Sequence, residues 1–227
     1  MAEVQIAPLG DAAVLVEWER AVRPQTLEDV WSAYDALRAA LGTSVLDIVP
    51  AYASVLVRFD PSATRLATML AVIRGALEQA REQPAWQARS FELGVSFEPE
   101  FALDLPAVSE ETGLAPADVL ARLCSASYRV AFLGYSAGFP YLLGLPKELN
   151  VRRLATPRIS VPAGSVAIAG GQCGIYPRTT PGGWRVLGRT AALLFDPLSA
   201  EPALLRPGDR LTFRRAESLA DALVVAQ

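Results

Sequence analysis

Residues 134–184 form a stretch in which glycine and proline recur every few positions. Glycine permits positive φ angles and proline fixes φ, so this stretch favours tight turns over long regular elements. Only a few charged side chains interrupt it. Because binding residues concentrate on loops that a rigid scaffold positions, we expect these turns to hold backbone and side chains around a ligand or a partner.

The composition predicts a folded protein with one large domain or two small ones. The chain has 227 residues, of which 52% are hydrophobic, enough for a sizeable core. A formal net charge of −3 argues against a nucleic-acid partner. The first residues lack the pattern of a signal peptide, and the longest uncharged runs are broken by glycine and proline. We therefore expect a cytoplasmic protein that does not contact a membrane.

The first part of the chain alternates strand and helix patterns. Their order is β-α-β-β-α-β, which is the split βαβ, or ferredoxin-like, plan. The predicted elements are a strand over 13–18, a helix over 27–41, strands over 45–49 and 54–59, a helix over 66–77 and a strand over 91–97. We place an α+β domain at 1–88 and a second domain at 89–227.

The remainder of the chain reads as a barrel-like or sandwich-like β domain. Two short helices are predicted over 104–112 and 116–124, separated by Gly113. Short strands follow, with turns between them, over 128–133, 165–169, 185–188, 191–195 and 210–214. A terminal helix is predicted over 218–226.

Histidine is absent from the chain, which restricts the chemistry that the chain performs by itself. Ser-His-Asp and Cys-His mechanisms are excluded, as are histidine metal ligands. Cys124 and Cys173 are too few for a disulfide framework or a four-cysteine zinc site. Each is either a packed hydrophobe or a reactive thiol, and Cys173 is better placed for a ligand because it lies in the glycine-rich stretch. We expect no metal site.

Three groups of residues in this stretch are candidates for ligand binding. Gly170, Gly171 and Gln172 can present backbone N–H groups to an anion. Arg158 and Arg189 each follow a turn signal, and an arginine fork suits a carboxylate or phosphate; a solvated surface position is the alternative for each. The aromatic candidates either wall a small-molecule pocket or plug the end of a barrel, and they are Tyr135, Phe139 and Tyr141.

Ordered phrases that cover almost the whole chain carry a family resemblance. They are LGDAAVLVEW, LDIVPAYASVLVRFDP, GFPYLLGLP, TPRISVPAGSVAIAGGQCGIYP, TPGGWRVLGRT, LFDP and LLRPGDRLTF. By these phrases the chain resembles the family of 5-oxoprolinase B subunits and KipI. This family includes proteins called allophanate hydrolase subunit 1 and is similar to part of the carboxyltransferase domain of urea carboxylase.

The resemblance implies both a fold and partners. The fold is α+β, with an N-terminal ferredoxin-like domain and a C-terminal cyclophilin-like β-barrel. The partners are a homologous C-type protein and an A-type protein, with which the B-type protein opens 5-oxoproline to glutamate in an ATP-dependent reaction. The chain carries no nucleotide-binding motif, so we expect ATP to be bound by a partner. The KipI branch instead inhibits a sporulation histidine kinase.

The chain departs from the family phrases at a few positions. Leu123 stands where a histidine is usual, Ala137 where a proline is usual, and Cys173 where threonine is common. Residues 97–99, Phe-Glu-Pro, replace Tyr-Gly-Gly. We expect these segments to converge on one cleft, in which case Leu123 lines a pocket near 134–141 and Gln172.

Three functions follow from these observations. The first is one component of a hydrolase complex, which the presence of Arg158, Gln172, Tyr176 and Arg189 favours. In it the arginines hold an anionic group of the substrate or of a phosphate intermediate, and Gln172 with the N–H groups of residues 170 and 171 orients a carbonyl oxygen. The second function is a non-catalytic regulator or scaffold that binds a C-type partner or a histidine kinase. The third is a stand-alone small-molecule-binding protein.

Overall fold

A computed structural model describes residues 4–18, 24–82 and 88–226, and the chain divides into two compact units, Met1–Gln87 and Ala88–Gln227. Each unit has its own sheet and its own hydrophobic core. The fold is α+β, as the sequence predicts. No helix in the described ranges is long and apolar enough to cross a membrane.

The first unit is a four-stranded antiparallel sheet covered by two helices. Its elements are β1 Val4–Pro8, β2 Ala13–Trp18, α1 Pro24–Leu41, β3 Asp47–Pro50, β4 Ser54–Arg58 and α2 Leu66–Glu82. The strand order is β1-β2-β4-β3. Alternation in β2 turns Val14 and Val16 to one face, where they are fully buried with helix residues such as Leu37 and Ile73.

The ferredoxin-like plan holds, but the prediction for its last strand is wrong. The position beside β2 is taken by β1, which precedes β2 in the chain and pairs Ile6 with Val16. The strand predicted over 91–97 belongs to the second unit instead. A hairpin partner a few residues away closes a shorter loop than a strand that follows α2, so the local pairing costs less entropy.

The second unit is built on a sheet of eight strands with two helices beside it. Its elements are β5 Ser90–Val95, α3 Leu105–Thr112, α4 Pro116–Ser125, β6 Tyr128–Leu133, β7 Pro140–Leu143, β8 Arg158–Val161, β9 Ser165–Ala169, β10 Gln172–Ile175, β11 Thr180–Gly182, β12 Arg185–Arg189, β13 Arg210–Arg215 and β14 Val224–Ala226. The strand order is β12-β9-β10-β7-β6-β13-β5-β14, and β8 pairs with β11 in a separate two-stranded sheet.

Seven of these strands close into a barrel through one contact. Ser96 follows β5, and its N–H donates to the carbonyl oxygen of Arg189 at 2.8 Å. The Arg189 N–H donates back to Ser96 O at 2.9 Å, which joins β5 to β12. The barrel interior is filled by alternate residues of the strands and by the helices, including Val130, Leu142 and Ile168.

Two predictions for the end of the chain are wrong. Residues 218–226 contain no helix; they end in β14, which pairs antiparallel with β5. Residues 191–195 form no strand, and Phe195 makes only an isolated bridge to Ala203. The terminal segment is extended because its backbone carbonyls are used by the barrel: Gly94 N–H donates to Leu223 O and Ala191 N–H to Ala222 O, both at 2.8 Å.

Candidate functional site

A layer of small residues covers the outer face of the barrel sheet. On β9, Val166 and Ile168 point into the barrel core, whereas Ala167 and Ala169 belong to a second cluster on the opposite face. On β10, Gly174 lies next to Ala167 across the strand pair. These short side chains leave room for large rings to pack directly on the sheet.

Five aromatic residues occupy that room, and we call them the aromatic cluster. They are Tyr135, Phe139, Tyr141, Tyr176 and Trp184. Phe139 is central, with ring centroids 5.4 Å from Tyr135, 5.2 Å from both Tyr141 and Tyr176, and 5.7 Å from Trp184, all edge to face. Such pairs add about 0.5–1.5 kcal/mol each beyond the burial of their surface.

The cluster depends on the absence of a side chain at Gly174. A Cβ there would lie 2.6 Å from Cζ of Phe139 and 3.1 Å from Cζ3 of Trp184. Both rings are buried and held from several sides, so neither can move aside cheaply. The glycine-rich sequence at this point therefore serves close packing of rings on a strand.

Tyr135 lies over the outer edge of the cluster in a strained conformation. Its φ is +66°, the one positive value outside glycine among the described residues. Its hydroxyl is hydrogen-bonded to the carbonyl oxygen of Pro181, and Thr180 Oγ1 lies 3.2 Å away. These contacts tie the turn between β6 and β7 to β11. A non-glycine residue with positive φ costs roughly 1–3 kcal/mol, and such strain is concentrated at functional sites.

Replacing Tyr135 by Phe is expected to loosen this turn. The substitution keeps the ring contact with Phe139 but removes the hydroxyl, so the free energy of unfolding falls by about 0.5–1 kcal/mol. Amide exchange at Phe139, whose N–H donates to Ser136 O at 3.0 Å, should become faster. Tyr34→Phe in the first unit is the matched control. Equal exchange rates for Phe139 in the parent and the Tyr135→Phe chain would contradict this role.

Arg153 lies beside the cluster, with its guanidinium over the Trp184 ring, 5.8 Å from the ring centroid. Arg153 is exposed, and among the described residues no carboxylate lies within 4.0 Å of it. Tyr141 is half-buried and stacks on Phe132 with centroids 4.6 Å apart.

The hydroxyls of Tyr141 and Tyr176 are neutral donors at physiological pH. The pKa of Tyr176 is raised to about 12, chiefly by burial and in part by the nearby phenols of Tyr135 and Tyr141. Burial also raises the pKa of Tyr141, against a lowering effect of Arg153. The cluster therefore offers ring surfaces, the protonated phenols of Tyr141 and Tyr176 and the adjacent guanidinium of Arg153, which is chemistry for binding rather than for proton abstraction.

One N–H donor of the predicted backbone anion site is already hydrogen-bonded within the fold. Gly170 and Gly171 form the two-residue turn between β9 and β10, with φ of +56° and +75°. The Gly170 N–H donates to Val151 O at 2.8 Å, so it is not available to an anion. Gln172 begins β10 directly after this turn and is half-buried.

The two predicted arginine forks are engaged within the fold. Arg158 makes two 2.8 Å hydrogen bonds to the carboxylate of Asp104, and this pairing is the main reason that the pKa of Arg158 is raised. Arg189 donates from Nε to Ala163 O at 2.8 Å and lies over the ring of Phe101. Neither guanidinium belongs to the aromatic cluster.

Comparison with known proteins identifies the family. The family model of the carboxyltransferase domain, subdomain C and D, matches residues 4–205. The chain belongs to this carboxyltransferase-domain family. The 5-oxoprolinase B subunit of Escherichia coli O157:H7 is similar, at 37% identity over 206 residues that cover 90% of this chain and 93% of that protein. The resemblance read from the sequence phrases is confirmed.

Two solved structures share the fold of this chain. The crystal structure of TTHA0988 matches with a TM-score of 0.80 and 34% identity over 91% of this chain, which spans 40% of that longer chain. The urea carboxylase of Kluyveromyces lactis matches with a TM-score of 0.69 and 21% identity, covering 99% of this chain and 24% of that chain. At that identity the second likeness shows the fold alone.

The departures from the family phrases do not converge on one cleft, contrary to prediction. Leu123 and Cys173 are fully buried in the barrel core, and Phe97 is almost so. Leu123 packs on the inner side of α4, where its carbonyl accepts a 2.9 Å hydrogen bond from the Tyr128 hydroxyl. Burial raises the pKa of the Cys173 thiol, which makes it a packed hydrophobe rather than a nucleophile. These positions belong to packing, not to the aromatic cluster.

Three residues of the site escaped the sequence reasoning. They are Phe132, Arg153 and Trp184. Phe132 was assigned only to a strand, Trp184 only marked the end of the glycine-rich stretch, and Arg153 is one of two adjacent arginines. A usable signal was present for Trp184, because a large ring directly after two glycines and a proline favours close packing on a turn. No group of three or more Cys, Asp or Glu among the described residues is arranged to hold a metal ion.

Proposed function

We propose that the chain is the B-type component of an oxoprolinase-type complex that opens 5-oxoproline to glutamate with ATP. The observation that carries the proposal is the likeness to the 5-oxoprolinase B subunit of Escherichia coli O157:H7 over 93% of that protein. The aromatic cluster supports it, because ring surfaces beside the Arg153 guanidinium suit a small cyclic acid. A C-type homologue and an A-type protein are the proposed partners.

In this reaction the chain itself binds and orients the substrate. Hydrolysis of an amide needs a proton acceptor and a proton donor whose pKa values lie near the operating pH. The phenols of Tyr141 and Tyr176 stay protonated there, because burial raises the pKa of both. The chain also lacks histidine. The acid–base groups are therefore assigned to the partners, and the aromatic cluster holds the substrate toward them.

ATP is likewise assigned to a partner protein. The turn at Gly170 and Gly171 is the chain's best candidate for a phosphate cradle, and it does not fit one. Its first N–H is used by Val151 O, and the chain has no Gly-Lys-Ser/Thr sequence. We therefore assign no step of the reaction to a nucleotide bound by this chain.

The experiment is ATP hydrolysis that depends on 5-oxoproline, measured in a mixture of this chain with its C-type and A-type partners. We expect activity with all three components and only background hydrolysis when this chain is omitted. Release of glutamate should match the phosphate formed. A complex that forms but never hydrolyses ATP in response to 5-oxoproline would contradict the proposal and favour the regulator.

A further inference from the structure

We infer that the face formed by Arg153 and Tyr141, with the buried Trp184 ring beside both of them, is a binding site for a planar ring that carries one anionic group. The site stands on its geometry. Its assignment to 5-oxoproline, a nearly planar lactam with a carboxylate, rests on the proposed function. The same chemistry is also found in a nucleotide, whose base is planar and whose phosphate is anionic.

The anion would be held by Arg153, since the neighbouring arginines are already engaged. Arg185 donates to Arg152 O at 3.2 Å and to Glu111 Oε2 at 3.3 Å. Arg152 lies 3.9 Å from the other oxygen of Glu111. Arg158 is paired with Asp104. Among the described residues Arg153 alone in this group has no carboxylate or carbonyl partner, and its guanidinium is kept in place by the Trp184 ring.

The ring would be held by Tyr141. Its own ring is supported from behind by the stacked Phe132 and from the side by Trp184, with centroids 4.6 and 5.9 Å away. Tyr141 is therefore rigid, half-exposed and amphipathic, which makes it a low-entropy contact surface. Arg153 is close enough to Tyr141 to lower the pKa of its phenol. Ring contact and anion contact are thus available to one small molecule.

The protonated phenol adds the third contact. Burial raises the Tyr141 pKa, so its hydroxyl remains a donor at neutral pH. A carbonyl oxygen on the bound ring is the natural acceptor. A lactam acid satisfies all three contacts, because it joins a carboxylate, a flat amide and a carbonyl within one small ring.

The test is calorimetric titration of the whole chain with three probes: 5-oxoproline, its neutral carboxamide and AMP. We expect 5-oxoproline to bind and the carboxamide to bind more weakly. Arg153→Gln should weaken 5-oxoproline binding about tenfold, the usual effect of losing a hydrogen bond to a charged group at an exposed site. Arg152→Gln is the matched control, because the Arg152 side chain is 94% exposed and turned to Glu111. It should leave the affinity unchanged.

The other binding results would either support or overturn the site. Binding of AMP that depends on Arg153, without binding of 5-oxoproline, would support the site and assign it to a nucleotide. Equal affinity for acid and carboxamide, equal losses in the two arginine variants, or no binding of any probe would overturn it. Both variants lie on the surface, so unchanged thermal unfolding confirms that they fold.

Kinetics separate this inference from the proposed function. In an active complex, Arg153→Gln should raise the KM for 5-oxoproline and leave kcat nearly unchanged, because the contact is made equally in the ground and transition states. An inactive parent complex with Arg153-dependent binding refutes the function and keeps the site. An active complex in which Arg153→Gln leaves KM unchanged refutes the site and keeps the function.

Discussion

Leu123→His is expected to destabilise the chain by about 3 kcal/mol and to bring no gain in activity. Leu123 is fully buried among apolar side chains of the barrel core. An imidazole there loses its hydration without a partner of the right geometry. Because burial disfavours the charged imidazole, its pKa falls on folding, and the destabilisation should grow as the pH drops through the usual titration range of histidine.

The measurement is urea unfolding of the parent and the variant at two pH values on either side of that range. Ala121→His, on the exposed side of the same helix, is the control and should change the free energy of unfolding by no more than about 0.5 kcal/mol. A variant at position 123 that is as stable as the parent and more active would reverse our interpretation. It would return this position to the candidate site.

Asp104→Ala is expected to lower the free energy of unfolding by about 3 kcal/mol, the second large effect. The carboxylate of Asp104 is 6% exposed and joins three elements. It accepts two hydrogen bonds from Arg158 on β8 and one from the Val186 N–H on β12, and the residue immediately precedes α3. Removing it leaves a partly buried guanidinium and a buried N–H without their acceptor.

Glu111→Gln provides the contrast for Asp104. Glu111 also faces arginines, but its contact with Arg185 is longer, at 3.3 Å, and its carboxylate is 28% exposed, against 6% for that of Asp104. Pairs of that kind contribute about 0–1 kcal/mol. Thermal and chemical unfolding of both variants decides the matter: comparable losses would show that Asp104 is an ordinary surface partner and that β8 is anchored elsewhere.

The sequence predicts elements best where local pattern and final environment agree. The strands over 128–133 and 165–169 are present in the structure with the predicted bounds, because each is a short, mostly apolar run that the fold buries. β7 and β10 escaped prediction because proline and glycine occupy them. Position 174 must be glycine because the ring of Phe139 packs against it, and no local sequence pattern predicts that contact.

The same distinction explains the candidate site. The rings of Tyr135, Phe139 and Tyr141 could be nominated from their place in a turn-rich stretch, and the structure brings them together with Tyr176. The arginines could not be ranked as ligand-binding residues from the sequence. Whether a guanidinium is available to a ligand depends on the groups that lie opposite it in the fold. Asp104 is distant in sequence from Arg158, and nothing in the chain marks Arg153 as the arginine without such a partner.

The closure of the barrel sets an order of events during synthesis. β5 lies between β13 and β14, and Ser96 after it bonds to Arg189, so all of its partners come from the far end of the second unit. The first unit pairs only strands that lie near one another in the chain, and all its contacts are available once α2 has left the ribosome. The pairing of β5 with both neighbouring strands must wait for residues 210–226, and until then β5 is a hydrophobic strand without either neighbour. Nascent chains that pause before this point are the ones most exposed to aggregation and most in need of a chaperone.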